Sequence, residues 1–191
     1  MITRLRRAVS RYFEALGVKL YRLGITPNTV TFAGLFFSML CPIAVLFKEP
    51  VIAVLLMVIS SFADAIDGAL ARVSGFVSRF GSVVDSFSDR VSEFMFLYSL
   101  FLLGIRADLI LIALLVSFLI SYLRALGEKQ GLYVEGIGLL ERGERLILIF
   151  IAFLGVVMNF NIVTYATLIL LIVLGLITVI QRLIYLEKKL R

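Results

Sequence analysis

Apolar runs approaching 20 residues recur along this chain, and a run of that length wound as a helix matches the hydrocarbon thickness of a bilayer. Spans are expected at about 29–47, 51–71, 82–103, 107–125, 146–158 with some flanking turn, and 162–185. A mean hydropathy of +1.07 fits lipid as the solvent. The fold class expected is therefore an all-α integral membrane protein with six transmembrane helices. No polar, Pro-rich or Ser-rich stretch is long enough to be a linker, so one domain is expected over 1–191: a juxtamembrane helix at 1–22 and a six-helix bundle at 29–185.

The segment from Ile2 to Tyr21 interleaves Arg4, Arg6, Arg7, Arg11 and Lys19 with Leu5, Val9, Tyr12, Phe13, Leu16 and Leu20, a pattern that suits an amphipathic helix on an anionic surface. Thr26-Pro27 reads as a helix cap followed by proline at the first helical position. Of the 19 Lys and Arg, only Lys48 and Arg106 fall in loops on one side. The charge bias of membrane loops then places both termini, the 73–81 loop and the 127–145 loop in the cytoplasm. No secretory signal is expected, because the first long apolar stretch starts late and lacks a small-residue cleavage site.

Composition also removes chemistries. Without histidine there is no imidazole zinc site and no His-based acid–base catalysis, and the single Cys41 excludes a disulfide framework. Carboxylates, hydroxyls, Lys and Arg remain.

Four aspartates stand out against this background, in "DAIDGALARVSGFVSRFGSVVDSFSD", residues 64–89. Asp64 and Asp67 share a face at the inner end of span two, and Asp85 and Asp89 share one near the start of span three. In an antiparallel pair Asp67 is level with Asp85, and Asp64 with Asp89 about one turn deeper. Each Asp costs roughly 2.5–3.5 kcal/mol at mid-membrane, and mutual repulsion adds to that. Divalent cations offset both, since carboxylate oxygens select Mg²⁺ or Mn²⁺ and four of them can hold two ions. Gly68 and Gly81 leave room for a ligand, and Arg72, one turn past Gly68, can grip a phosphate. Structural ion pairing with Arg72, Arg79 and Arg90 is the plainer alternative. A membrane scaffold is another, and a cation- or proton-coupled transporter a third, although no span is interrupted and no inverted repeat is evident.

At these residues the sequence resembles the CDP-alcohol phosphotransferase family. Asp64, Asp67-Gly68, Ala71-Arg72, Gly81, Asp85 and Asp89 match every position and spacing of its signature, eight fixed residues over 26 positions. Thr26-Pro27-Asn28 through Thr31 looks like the usual start of the family's first span. The resemblance implies that an acceptor hydroxyl attacks the lipid-side phosphate of a CDP-lipid and that CMP leaves. It implies a two-metal site (Mg²⁺ or Mn²⁺) at Asp64, Asp67, Asp85 and Asp89, with Asp89 also the catalytic base. Gly68, Ala71, Arg72 and Gly81 would lie against the CMP moiety, and the enzyme would be a homodimer.

The acceptor is addressed by "GIGLLERGERLI", residues 136–147. Arg142 and Arg145 lie three apart at a helix start, where guanidinium groups and free backbone amides make an anion site. Arg124 and Arg182, at the inner ends of spans four and six, are expected on the same side of the membrane, so a phosphorylated acceptor fits. Ordinary loop arginines paired with Glu141 and Glu144 would give the same residues. The Glu-Arg, two residues, Arg pattern resembles the branch that uses inositol 1-phosphate, with glycerol 3-phosphate as the alternative within the family. Only five amides, one Cys and no His hint at a thermophile and so at an archaeal ether lipid, CDP-archaeol, as donor.

Overall fold

Helix boundaries fall where local chemistry puts them. In the computed structural model, which describes residues 2–75 and 78–191 with side chains from Tyr12 onward, seven helices are seen: α1 (Ile2–Arg22), α2 (Pro27–Leu46), α3 (Pro50–Ser74), α4 (Arg79–Leu102), α5 (Ala107–Lys129), α6 (Arg142–Val157) and α7 (Asn161–Leu190). Thr26 caps α2, its hydroxyl accepting the Thr29 N–H at 3.3 Å, and Pro27 takes the first helical position as expected. Pro50 opens α3 in the same way, and Gly75, at φ 69°, closes it in the left-handed region. The side chains of Arg4, Arg6, Arg7 and Arg11, and residues 76 and 77 of the expected 73–81 loop, lie outside the described residues.

Six helices occupy the six expected stretches, but they are not alike. Among the described residues α2, α3, α5 and α7 are long and apolar enough to cross a membrane. α6 has 16 residues, about 24 Å of helix against a hydrocarbon core of about 30 Å. α4 carries Arg79, Asp85, Asp89, Arg90 and Glu93.

Contacts group the chain into two units, residues up to Met95 and Phe96–Arg191. In the first, α1 lies against α3 at a glycine: a Cβ on Gly17 would stand 3.2 Å from the Leu70 backbone, and Phe13 meets Phe62 at a ring separation of 5.9 Å. α2 approaches α3 at Gly34, where an added Cβ would stand 3.0 Å from that of Ala63. Ser92 Oγ donates to Ser38 Oγ at 3.1 Å and ties α4 to α2. Cys41 is fully buried in this unit, its Sγ 3.5 Å from the Ala53 carbonyl.

The second unit repeats the logic. Gly175 of α7 admits Val116 of α5, and Gly155 of α6 admits Thr164 of α7, whose hydroxyl donates to the Ala152 carbonyl at 3.0 Å. Small residues at the crossings are what lipid-embedded helices use, because close backbone approach replaces the missing hydrophobic drive. The outward residues, Phe36, Leu55, Leu111, Leu115 and Ile169 among them, are large and apolar.

Candidate active site

Two features of the first unit bring acids together. Asp64 and Asp67, three apart on α3, face Asp85 of α4, and one carboxylate oxygen from each lies within 4.8 Å of the others. Asp67 is the interior member, 5% exposed, and Thr31 of α2 holds it: Thr31 Oγ1 stands 2.6 Å from Asp67 Oδ2 and 3.1 Å from the Pro27 carbonyl. The single hydroxyl proton goes to the nearer, charged acceptor. Asp89 lies outside this group. It sits one turn further along α4, 14% exposed, with Arg90 Nη1 3.5 Å from its Oδ2. One of the ion pairs that the plainer alternative would call for is thus present, on the aspartate outside the group.

The small residues of the signature frame the acids. An added Cβ on Gly68 would stand 3.5 Å from Arg72 Nη1, so the arginine folds back one turn over the glycine. Ala71 beside it is half-buried. Gly81 opens the other side: its N–H donates to Ser78 Oγ at 2.8 Å, and a Cβ there would stand 2.9 Å from that oxygen and 3.0 Å from Asn28 Oδ1. The start of α2 therefore abuts the start of α4. Three hard oxygen donors, one already oriented by a neutral hydroxyl, fit a divalent cation.

Thr31 and Asn28 stand in the opening turns of α2, and nothing in the sequence pairs them with a partner. Their contacts lie 36 and 53 positions away in sequence, so no local pattern shows them.

In the second unit the four expected arginines divide. Arg124 of α5 is half-exposed and holds Glu128 at 2.7 Å and Glu135 at 3.0 Å. Arg142 is the first residue of α6 and Arg145 the fourth, with Arg145 only 2% exposed and its Nη2 3.4 Å from Ser121 Oγ. Glu144 accepts the Glu141 N–H at 3.1 Å, which closes the helix start. Arg182 of α7, also 2% exposed, reaches inward: Nε donates to the Ile137 carbonyl at 2.9 Å and Nη1 to the Ile120 carbonyl at 2.6 Å, with Nη2 3.6 Å from Glu141 Oε1. The structure thus brings Arg182 to the loop backbone, a partner the sequence gave no sign of.

The sequence model of the CDP-alcohol phosphatidyltransferases matches residues 24–185, which takes in both the aspartates and the arginines. The chain belongs to the CDP-alcohol phosphatidyltransferase family. Among curated members it is 38% identical over 191 residues to the archaetidylinositol phosphate synthase of Pyrococcus horikoshii, covering 100% of this chain and 98% of that one. Among solved members it resembles the phosphatidylinositol phosphate synthase of Mycobacterium tuberculosis with CDP-DAG bound, at a TM-score of 0.72 and 30% identity, covering 92% of this chain and 94% of that one. The same synthase in complex with manganese and citrate gives a TM-score of 0.71 at 30% identity, covering 92% and 88%.

Proposed function

We propose that this CDP-alcohol phosphatidyltransferase transfers the lipid phosphate group of CDP-archaeol to inositol 1-phosphate, releasing CMP and forming archaetidylinositol phosphate. The observation that carries this reading is the carboxylate group of Asp64, Asp67 and Asp85 set between Gly68–Arg72 on one helix and Gly81 on the next. The full-length similarity to an archaetidylinositol phosphate synthase supports the choice of lipid and acceptor. The manganese complex of the mycobacterial relative supports a divalent ion.

Asp64, Asp67, Asp85 and Asp89 would hold two ions, Mg²⁺ or Mn²⁺, and Thr31 would fix the Asp67 carboxylate toward them. When bound, such ions neutralise the diphosphate and the departing CMP. Gly68, Ala71 and Gly81 give the nucleotide room beside the helix backbones, and Arg72 pairs with a phosphate oxygen. The acceptor hydroxyl oxygen bonds to the lipid-side phosphorus, the bond from that phosphorus to the bridging oxygen breaks, and CMP keeps the electron pair. Asp89 Oδ would take the hydroxyl proton, from its place one turn past Asp85 on α4.

Arg124, Arg142, Arg145 and Arg182 would bind the phosphate of the acceptor. In this reading α4 and α6 also cross the bilayer, giving one domain of six spans with both termini and the active site on the cytoplasmic side. The protein would work as a homodimer.

The test is CMP release by purified protein given CDP-archaeol, Mn²⁺ or Mg²⁺, and either inositol 1-phosphate or glycerol 3-phosphate. Release with inositol 1-phosphate alone is expected, lost on chelation of the metal and lost in Asp85→Asn. Release with glycerol 3-phosphate alone would keep the carboxylate site and remove the acceptor assignment.

A further inference from the structure

Buried hydroxyls on these helices have a partner close at hand. A Ser or Thr inside a helix reaches a carbonyl of the preceding turn; Ser38 takes the Leu35 carbonyl at 2.7 Å and Thr178 the Leu174 carbonyl at 2.8 Å. Thr31 stands between the Pro27 carbonyl and Asp67, and Ser92 donates to Ser38 at 3.1 Å. Ser88 of α4 departs from this pattern. It is 4% exposed, and its Oγ has no hydrogen-bond partner among the described residues.

A buried polar atom left unbonded is rare, because it has given up water for nothing, and it commonly marks a group that a water or an ion completes. Position tells which. Ser88 follows Asp85 by three residues and precedes Asp89 by one, so it shares a face of α4 with Asp85, about one turn deeper. The next hydroxyl below it, that of Ser92, is already bonded to Ser38. Ser117 of α5 supplies the contrast: it too is 4% exposed with an Oγ unbonded among the described residues, but no Asp or Glu lies within four residues of it.

The carboxylate oxygens of Asp64, Asp67 and Asp85 lie within 4.8 Å of one another. They leave a divalent ion short of ligands, since Mg²⁺ seeks an octahedral shell and keeps several waters in it. Each such water has protons to donate, and a buried hydroxyl one turn below Asp85 can accept one of them.

We propose that Ser88 is a positioning residue of the metal site, its hydroxyl oxygen accepting a hydrogen bond from a water on the ion that Asp64, Asp67 and Asp85 hold. This rests on the metal site of the reaction proposed above. Thr31 and Ser88 then act at different moments. Thr31 orients Asp67 before an ion arrives, and Ser88 gains its bond only with the ion, so the two hydroxyls have opposite consequences for the metal-free protein.

The test uses the full-length protein in detergent with Ser88→Ala and with Ser88→Cys, whose thiol is of similar size and bonds weakly. Titration of free Mn²⁺ by electron paramagnetic resonance is expected to show an affinity about tenfold lower in both. With the metal chelated, the Tm of Ser88→Ala is expected to equal or exceed that of the parent, because no bond is lost, whereas that of Thr31→Val should fall. Saturating Mn²⁺ is expected to bring the turnover of Ser88→Ala close to the parent's.

An unchanged Mn²⁺ affinity in Ser88→Ala would overturn the proposal. So would a lowered Tm of the chelated Ser88→Ala protein, which would mean that the hydroxyl serves a permanent interior water. A parent that binds no Mn²⁺ removes this inference together with the metal site. A parent that binds Mn²⁺, shows the shift in Ser88→Ala and still releases no CMP keeps the inference and loses the proposed reaction.

Discussion

Asp67 accepts a hydroxyl proton from Thr31 at 2.6 Å where almost no solvent reaches it, so its orientation is set before any ion arrives. Groups that orient a ligating carboxylate commonly matter about 10–100-fold to metal affinity. Thr31→Val should therefore weaken Mn²⁺ binding by about tenfold while Thr31→Ser keeps it, measured by titrating free Mn²⁺ with electron paramagnetic resonance; equal affinities would mean that Asp67 needs no such support. The four aspartates were legible from spacing alone, because residues three or four apart in a helix must share a face. Their grouping was legible only in part. Four residues advance a helix by 1.1 turns, so Asp89 drifts about 6 Å up α4 from Asp85, and the structure groups Asp85 with both acids of α3 while Asp89 pairs with Arg90.

Among the elements, helix ends were the easiest to read and helix contacts the hardest. Thr26, Pro27 and Pro50 declare where α2 and α3 start, because a cap and a fixed φ act locally. Gly17 gave no such signal, since a glycine inside an amphipathic pattern reads as mere weakness until its neighbour is known. That neighbour is the Leu70 backbone, 3.2 Å from where a Cβ would stand. Gly17→Leu should part α1 from α3 and cost about 1–3 kcal/mol, the usual scale of overpacking; a lowered Tm in detergent, with α1 cut sooner by protease, would show it, and an unchanged Tm would mean that α1 is docked elsewhere. Thr178, whose hydroxyl accepts the N–H groups of Leu139 and Leu140 at 3.2 and 3.0 Å, was hidden for the opposite reason: it lies in a long apolar run, where a threonine commonly bonds its own helix, as this one also does through the Leu174 carbonyl at 2.8 Å.

For the whole molecule, charge in the loops is the only topological signal a sequence of this kind carries, and it is a statistical one. It can be checked directly because Cys41 is the sole cysteine and is buried. In a Cys41→Ala background, Lys48→Cys and Arg106→Cys should react with an impermeant maleimide from the outer face of intact cells, and Lys129→Cys and Lys188→Cys only after the membrane is opened. A mixed pattern within either pair would remove the six-span arrangement. The separation into apolar α3 and charged α4 also bears on how the protein is made. At about 2.5–3.5 kcal/mol for each ionised Asp or Arg near a helix centre, α4 is a poor candidate for insertion by itself. Asp85 meets Asp64 and Asp67 of α3, which leaves the ribosome first; carboxylates brought together repel, so entry of the two helices as a hairpin would need a divalent cation between them. Assembling the proposed metal site and inserting the chain would then become one event. Asp85→Asn, expected to abolish turnover, should also ease the insertion of α4 and raise the yield of membrane-integrated protein, so losses of chemistry and gains in biogenesis would appear together at one residue.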